Sequence, residues 1–261
     1  MKSVEESVVT AMDGSDKELF PYIPYILQDI WEIGTDPDTV IDIIRANYHE
    51  HAALNVLDLG CGKGAVSVKV AAALGCKCLG IDAVPEFIEY ANQKAVEYKV
   101  AQRCTFQTGD IRKKIQHLSG YDVVMLGAIG PVFGDYHATL TSLADCLKEQ
   151  GIFIIDDAYI EDDSSFSHPL IYRKSTMLQH INQAGMELIE DHRFDREQIK
   201  DSDEFIYRNL KKRCAELIQK HPGKAHLFRN YVKKQEAEMD VLLNKVVATT
   251  IVIRKKRGFA H

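Results

Sequence analysis

The stretch Val56-Leu57-Asp58-Leu59-Gly60-Cys61-Gly62-Lys63-Gly64-Ala65 decides the fold, because an apolar run turns through three alternate glycines straight into a helical pattern. Glycines at such a junction supply positive φ for a tight turn and let a ligand approach the backbone more closely than a Cβ would permit. A nucleotide-like ligand is expected there. Outward from this strand at 54–60, further short apolar runs lie at 76–82, 104–110, 121–127 and 151–157. Helical candidates separate them at 64–74, 85–99, 112–118 and 135–149. Fully apolar strands alternating with helices predict a parallel sheet covered on both faces.

The flanks complete the expected α/β architecture. Residues 16–50 carry apolar positions at helical spacing, interrupted by GTDPD, and Thr35-Asp36-Pro37 is a start signal for the second of two helices. Residues 1–50 are therefore expected to form an N-terminal helical cap, with 51–261 as the main domain. After the fifth strand come an acidic loop (Glu161, Asp162, Asp163), a helix at 169–184 and a strand at 186–194. A helical insertion at about 195–245, broken at His221-Pro222-Gly223, precedes a β-branched closing strand at 246–256. The sum is a Rossmann-like, doubly wound, mostly parallel seven-stranded sheet.

Composition narrows the class of protein. With 261 residues, 46% hydrophobic and 27% charged, the chain can bury one large core and resembles neither collagen, coiled coil nor disordered sequence. No apolar run is long enough to span a bilayer and the first residues lack a secretory pattern, so no membrane association and a cytoplasmic location are expected. Six scattered cysteines without a CxxC pair read as reduced thiols. The net charge of −6 divides unevenly, −10 over residues 1–160 and +4 over 161–261. The basic runs Lys211-Lys212-Arg213 and Arg254-Lys255-Lys256-Arg257 are short in an acidic chain and read as solvated surface, which argues against a nucleic-acid partner. His49-x-His51 has no accompanying cysteine or acid cluster, so no metal is expected.

The glycine turn alone leaves two ligands open. Gly60-x-Gly62-x-x-Ala65 also satisfies the dinucleotide fingerprint, and Asp82 stands where that fingerprint wants a ribose-binding acid. Two features discriminate. Asp58 would meet a diphosphate with an unwelcome negative charge but would favour a cationic ammonium or sulfonium. Thr108-Gly109-Asp110-Ile111 puts an acid at the end of the third strand, placed to accept from an adenine amino group. Acids after three successive strands suit a ligand with a positive centre, a ribose and an adenine but no phosphate, the inventory of S-adenosylmethionine.

The segments VLDLGCGKG, LGIDAVPEFIEYA, TGD, YDVVMLGAIG and LKEQGIFIIDDAY, in that order, resemble the class I S-adenosylmethionine-dependent methyltransferase family over residues 54–160 and on to the last strand. The resemblance implies that Gly60 and Gly62 pass close to the methionine portion, with Cys61 between them and Asp58 supporting its amino group. It implies further that Asp82, followed by Ala83, binds the ribose hydroxyls, that Asp110 and Ile111 hold the adenine, and that Gly127 sits beside the sulfonium end. The Asn/Asp-Pro-Pro-aromatic tetrapeptide of nitrogen-directed nucleic-acid and glutamine methyltransferases is absent, since residues 127–134 read GAIGPVFG. A small-molecule acceptor is the expectation.

Because ligands of open α/β sheets collect at the carboxyl ends of the strands, the candidates for acceptor chemistry are His137, Asp157 and Tyr159, with Asp156 beside them. Tyr22, Tyr25 and Trp31 of the cap could close over the site. A nicotinamide-dependent oxidoreductase sharing the glycine loop and a non-catalytic S-adenosylmethionine-binding module stand as alternatives. The oligomeric state is left open.

Overall fold

The computed structural model describes residues 2–256; Arg257, the end of the expected basic tail, and residues 258–261 of the main domain lie outside the described residues. The chain opens with α1 (Val4–Ala11), a helix ahead of the expected cap helices. Its start is a capping box in which the Ser3 hydroxyl accepts from the Glu6 N–H and the Glu6 carboxylate accepts from the Ser3 N–H. A 3-10 segment (Lys17–Tyr22) and the single turn α2 (Ile23–Ile26) replace the long first helix that the apolar spacing suggests. Pro21 and Pro24 lack the N–H donors that a continuous helix needs. The second cap helix, α3 (Pro37–Asn47), starts as expected, with the Asp36 carboxylate accepting from the Thr39 N–H and Pro37 in the first turn.

The sheet then builds by β-α alternation through β1 (Asn55–Leu59), α4 (Ala65–Leu74), β2 (Lys77–Asp82), α5 (Pro85–Glu97) and β3 (Cys104–Thr108). It continues with α6 (Ile111–Lys114), β4 (Tyr121–Gly127), α7 (Tyr136–Leu143) and β5 (Leu147–Tyr159). The remaining elements are α8 (Lys174–Gln183), β6 (Met186–Arg193), α9 (Arg196–Lys220), α10 (Ala225–Asn244) and β7 (Val247–Lys255). Seven strands run in the order β3-β2-β1-β4-β5-β7-β6; β1 to β5 are parallel, and β7 is antiparallel to both its neighbours.

One boundary corrects the sequence expectation. The helix expected over 135–149 stops at Leu143, because Leu147 already pairs with Tyr121 and the following residues form an irregularity before Ile152 rejoins the ladder opposite Val123. Lys148, Glu149 and Gln150 favour helix intrinsically, and strand pairing overrides them. The helix expected at 169–184 likewise starts later, at Lys174.

Side chains alternate across the sheet with period two. One face buries Val56, Val123, Ile154 and Val252 against α3, α4 and α5, and the other buries Leu57, Val124, Phe153 and Ile253 against α7 and α8. A third cluster joins the cap to the insertion, through Ile23, Ile26 and Leu27 packed with Leu210, Leu217 and Phe228. Cap and insertion thus form one lid-like layer over the carboxyl ends of β1 and β2, where Val84 and Phe87 belong to the same cluster.

Candidate cofactor and acceptor site

The glycine turn is built by sterics. Gly64 begins α4 at φ +72°, and a Cβ there would stand 2.7 Å from the Ala91 Cβ, so the loop packs tightly on α5. Gly62, at φ +51°, has no atom within 4 Å of where its Cβ would be, so its bare backbone faces open space. That space is a cavity of about 280 Å³ at the strand ends.

All nine residues expected at a cofactor line this one cavity: Asp58, Gly60, Cys61, Gly62, Asp82, Ala83, Asp110, Ile111 and Gly127. Asp58 is buried and accepts a hydrogen bond from the Ser67 hydroxyl at 2.6 Å. Burial pushes its carboxyl up to about 6; Ser67 offsets this in part, and the neighbouring charge of Asp82 adds to it. Asp82 is also raised by burial, against the pull of backbone donors, for its oxygens accept from the N–H groups of Gly62 and Val84, each at 2.9 Å. The Cys61 thiol is held well above its ordinary value by burial and by both acids. Asp110 differs: it is hydrogen-bonded to Arg112, which lowers its carboxyl, and it caps α6 through the Arg112 N–H.

Among the described residues two basic side chains line the cavity, and both already have partners. Arg112 pairs with Asp110 and donates to the Lys2 carbonyl at 2.9 Å. The buried Lys63 amine donates to the carbonyls of Leu27 and Ile30, and burial pushes it down to about 8. In return the Trp31 indole N–H donates to the Lys63 carbonyl at 3.0 Å. These bonds pin the glycine loop to the cap. The cavity therefore presents buried carboxyls and, among the described residues, no uncommitted cation for a pyrophosphate. That donor set fits S-adenosylmethionine, which has a cationic centre, ribose hydroxyls and an adenine amine but no phosphate.

The acceptor candidates fall elsewhere. His137 is exposed in the first turn of α7 and does not line the cavity. Asp157 and Tyr159 point to the α7–α8 face, where Asp157 accepts from the Tyr136 hydroxyl at 2.7 Å. Tyr159 is buried, with its hydroxyl 3.1 Å from Asp191 and 3.3 Å from the Lys174 amine. Asp156 points the other way but stops short of the cavity: it is buried, accepts from the Thr250 hydroxyl at 2.6 Å and is pushed up to about 6 by burial. Strand alternation explains the split, because odd positions of β5 turn away from the cap.

Of the three cap aromatics only Trp31 lines the cavity. Tyr22 packs edge-on against Phe228, and Tyr25 hydrogen-bonds Glu216, so both serve the cap–insertion contact. Arg213, from the basic run in α9, pairs with Asp29 and Glu216 in that same contact. Sequence reasoning missed the remote wall of the cavity, formed by α1, α9 and α10. Residues such as Met12, Asp13, Ile206 and Met239 carry no shared motif because they come from opposite ends of the chain.

The model of a methyltransferase domain matches residues 50–237. The chain belongs to the class I S-adenosylmethionine-dependent methyltransferase family. No curated protein sequence matches this methyltransferase. Its fold is similar to that of a methyltransferase from Thiobacillus denitrificans solved with S-adenosylhomocysteine, at 19% identity and a TM-score of 0.72, covering 90% of this chain and 98% of that one. A methyltransferase from Geobacter sulfurreducens, also solved with S-adenosylhomocysteine, gives 19% identity and a TM-score of 0.73 at the same coverage. The cyclase SpnF matches at 15% identity and a TM-score of 0.71, over 98% of this chain and 97% of that one. No helix among the described residues is long and apolar enough to cross a membrane.

Proposed function

We propose that this methyltransferase acts on a small-molecule acceptor enclosed between the sheet, the cap and the insertion, with residues 1–50 serving as the cap. The observation that carries this is the continuity of one cavity from the glycine turn, through Asp58 and Asp82, to an apolar wall on α9 and α10. A concave, largely apolar chamber of this size suits a small molecule better than a polymer. The basic run of α9 is tied into the cap contact through Arg213, which argues against a nucleic-acid surface there.

Bound S-adenosylmethionine would supply a methyl carbon activated by a sulfonium, for displacement by a lone pair of the acceptor. The protein's own residues do the rest. Asp82 is oriented by two backbone donors so that its remaining lone pairs can accept from ribose hydroxyls. Asp58, fixed by Ser67, places negative charge beside the positive end of the ligand. Asp110 keeps acceptor capacity on Oδ2 for an adenine amine, with Ile111 against the ring. The bare backbone of Gly62 leaves room for the methionine portion. His137, Asp157 and Tyr159 lie outside the cavity, so the reading rests on alignment and exclusion of water rather than on a general base from those residues.

The test is formation of S-adenosylhomocysteine from S-adenosylmethionine across a panel of small molecules, with transfer RNA and protein fractions in parallel. Turnover with one or more small molecules is the expected result. Turnover confined to RNA or protein overturns the proposal.

A further inference from the structure

The cavity also holds acids that the cofactor reading does not use. Beyond the glycine turn its walls are Val8, Ile206, Leu210, Met239 and Leu242, and among them stand three acids from three different elements: Asp13 after α1, Asp203 on α9 and Glu238 on α10. Acids in an apolar chamber are costly unless something neutralises them. Oδ2 of Asp203 is wholly buried with no hydrogen-bond partner. Burial pushes Asp203 up to about 6, and Asp13, which is more deeply placed and repelled by Glu238 and Asp203, is also pushed up to about 6.

The donors nearby are spent. The Gln235 amide donates to the Met12 carbonyl at 2.9 Å and also hydrogen-bonds Asp13, while the Lys234 amine, whose charge acts on Asp13, donates to the Gly14 carbonyl at 3.4 Å. The same contacts, with the Gly14 N–H donating to the Val9 carbonyl at 2.7 Å, hold the turn in which Asp13 adopts a left-handed backbone, φ +56°. Tyr231, also lining the cavity, is buried and shifted upward by burial and by the charge of Asp13. Among the described residues this end of the chamber thus offers three carboxyls, of which Asp13 is met by the Gln235 amide and the charge of Lys234 and Asp203 keeps an oxygen without a partner.

We propose that the acceptor is a hydrophobic amine, seated with its cationic nitrogen against Asp13, Asp203 and Glu238 and its apolar body along Ile206, Leu210 and Met239. This deepens the small-molecule reading and rests on it for the identity of the chamber as the acceptor's. A protonated amine gives the orphaned Asp203 oxygen a donor and neutralises the cluster. An alcohol of equal size supplies a donor without the charge, and a carboxylate is repelled.

The experiment is titration calorimetry of the full chain, saturated with S-adenosylhomocysteine, using phenylbutylamine, phenylbutanol and phenylbutyrate as probes. The amine is expected to bind at least about tenfold more tightly than the alcohol, with the carboxylate weakest. In Asp203→Asn and, separately, Glu238→Gln, this preference should shrink toward threefold or less, while alcohol binding and S-adenosylhomocysteine affinity stay unchanged. The retained S-adenosylhomocysteine affinity also shows that each variant is folded. Equal affinity for amine and alcohol, failure of the amine to bind, or a preference that survives both substitutions overturns the inference. Titration with S-adenosylhomocysteine alone separates the two readings. If it binds and the amine preference is absent, only the acceptor inference falls; if it does not bind and the preference follows Asp203, the amine site stands and the cofactor reading falls.

Discussion

The two ends of the cavity are both acidic but are held in different ways. At the glycine turn the acids are local to the sheet: Asp58 and Asp82 end adjacent parallel strands, and backbone N–H groups or a neighbouring hydroxyl fix their oxygens. At the far end Asp13, Asp203 and Glu238 come from three helical or turn elements, and an Asp203 oxygen has no partner. The first arrangement is preorganised by the fold itself. The second is assembled only when cap and insertion pack together, so it can vary without disturbing the sheet. On the proposed reading the sheet recognises the cofactor and the additions recognise the acceptor.

The sharpest way to break that division is to fill the far end. Met239→Trp should lower turnover by about a hundredfold, since a small misplacement of reacting groups costs that much. Its S-adenosylhomocysteine affinity should stay within about threefold of the parent chain, because binding at the turn does not involve α10. Calorimetry and steady-state kinetics on the same preparation check both halves, and a parallel loss of cofactor affinity would show the ends to be one unit. Asp82→Ala should do the reverse, weakening S-adenosylhomocysteine binding by about 1–3 kcal/mol through lost charge-assisted hydrogen bonds while leaving phenylbutylamine binding unchanged.

Acidity sharpens the comparison further. Burial pushes Asp58 up to about 6, and the ammonium of the methionine portion favours its ionised form, so binding releases a proton at low pH. Affinity for S-adenosylhomocysteine, which keeps the ammonium of the methionine portion, should be full above about pH 7 and fall roughly tenfold per unit well below pH 6. An affinity that stays flat by calorimetry between about pH 7 and pH 5 would count against Asp58 as the partner of that ammonium. The smallest effect is expected at Asp157. Asp157→Asn, on the opposite face of the sheet, should change cofactor affinity and turnover by less than about twofold, within the range of a substitution remote from the reacting groups. A large loss of turnover would return that face to the site.

What could be read from the sequence follows the same boundary. VLDLGCGKG, the acids at 82 and 110 and the five apolar strands are local patterns, and the structure brings the residues they name to one cavity. The far wall is not local: Asp13, Asp203 and Glu238 are joined only by tertiary packing, and no spacing rule connects them. Within the elements, the departures from expectation also have local causes. Pro21 and Pro24 break the first cap helix, and the Ser3–Glu6 capping box, visible in the sequence, marks the helix that the apolar spacing overlooks. Tyr159 and Asp157 stand at a strand end, as active-site residues of such sheets do, but their parity on β5 turns them from the cap. The strand start at Leu147 was obscured by helix-favouring residues that follow it.

The central claim is that buried carboxyls at the ends of β1 and β2, with no free cation beside them, select a nucleoside that lacks phosphates. Titrating the full chain with S-adenosylhomocysteine and, in a matched experiment, with NAD tests this most directly. Saturable binding of S-adenosylhomocysteine with a Kd around micromolar and no heat from NAD is the predicted result. Tighter binding of NAD than of S-adenosylhomocysteine would contradict it.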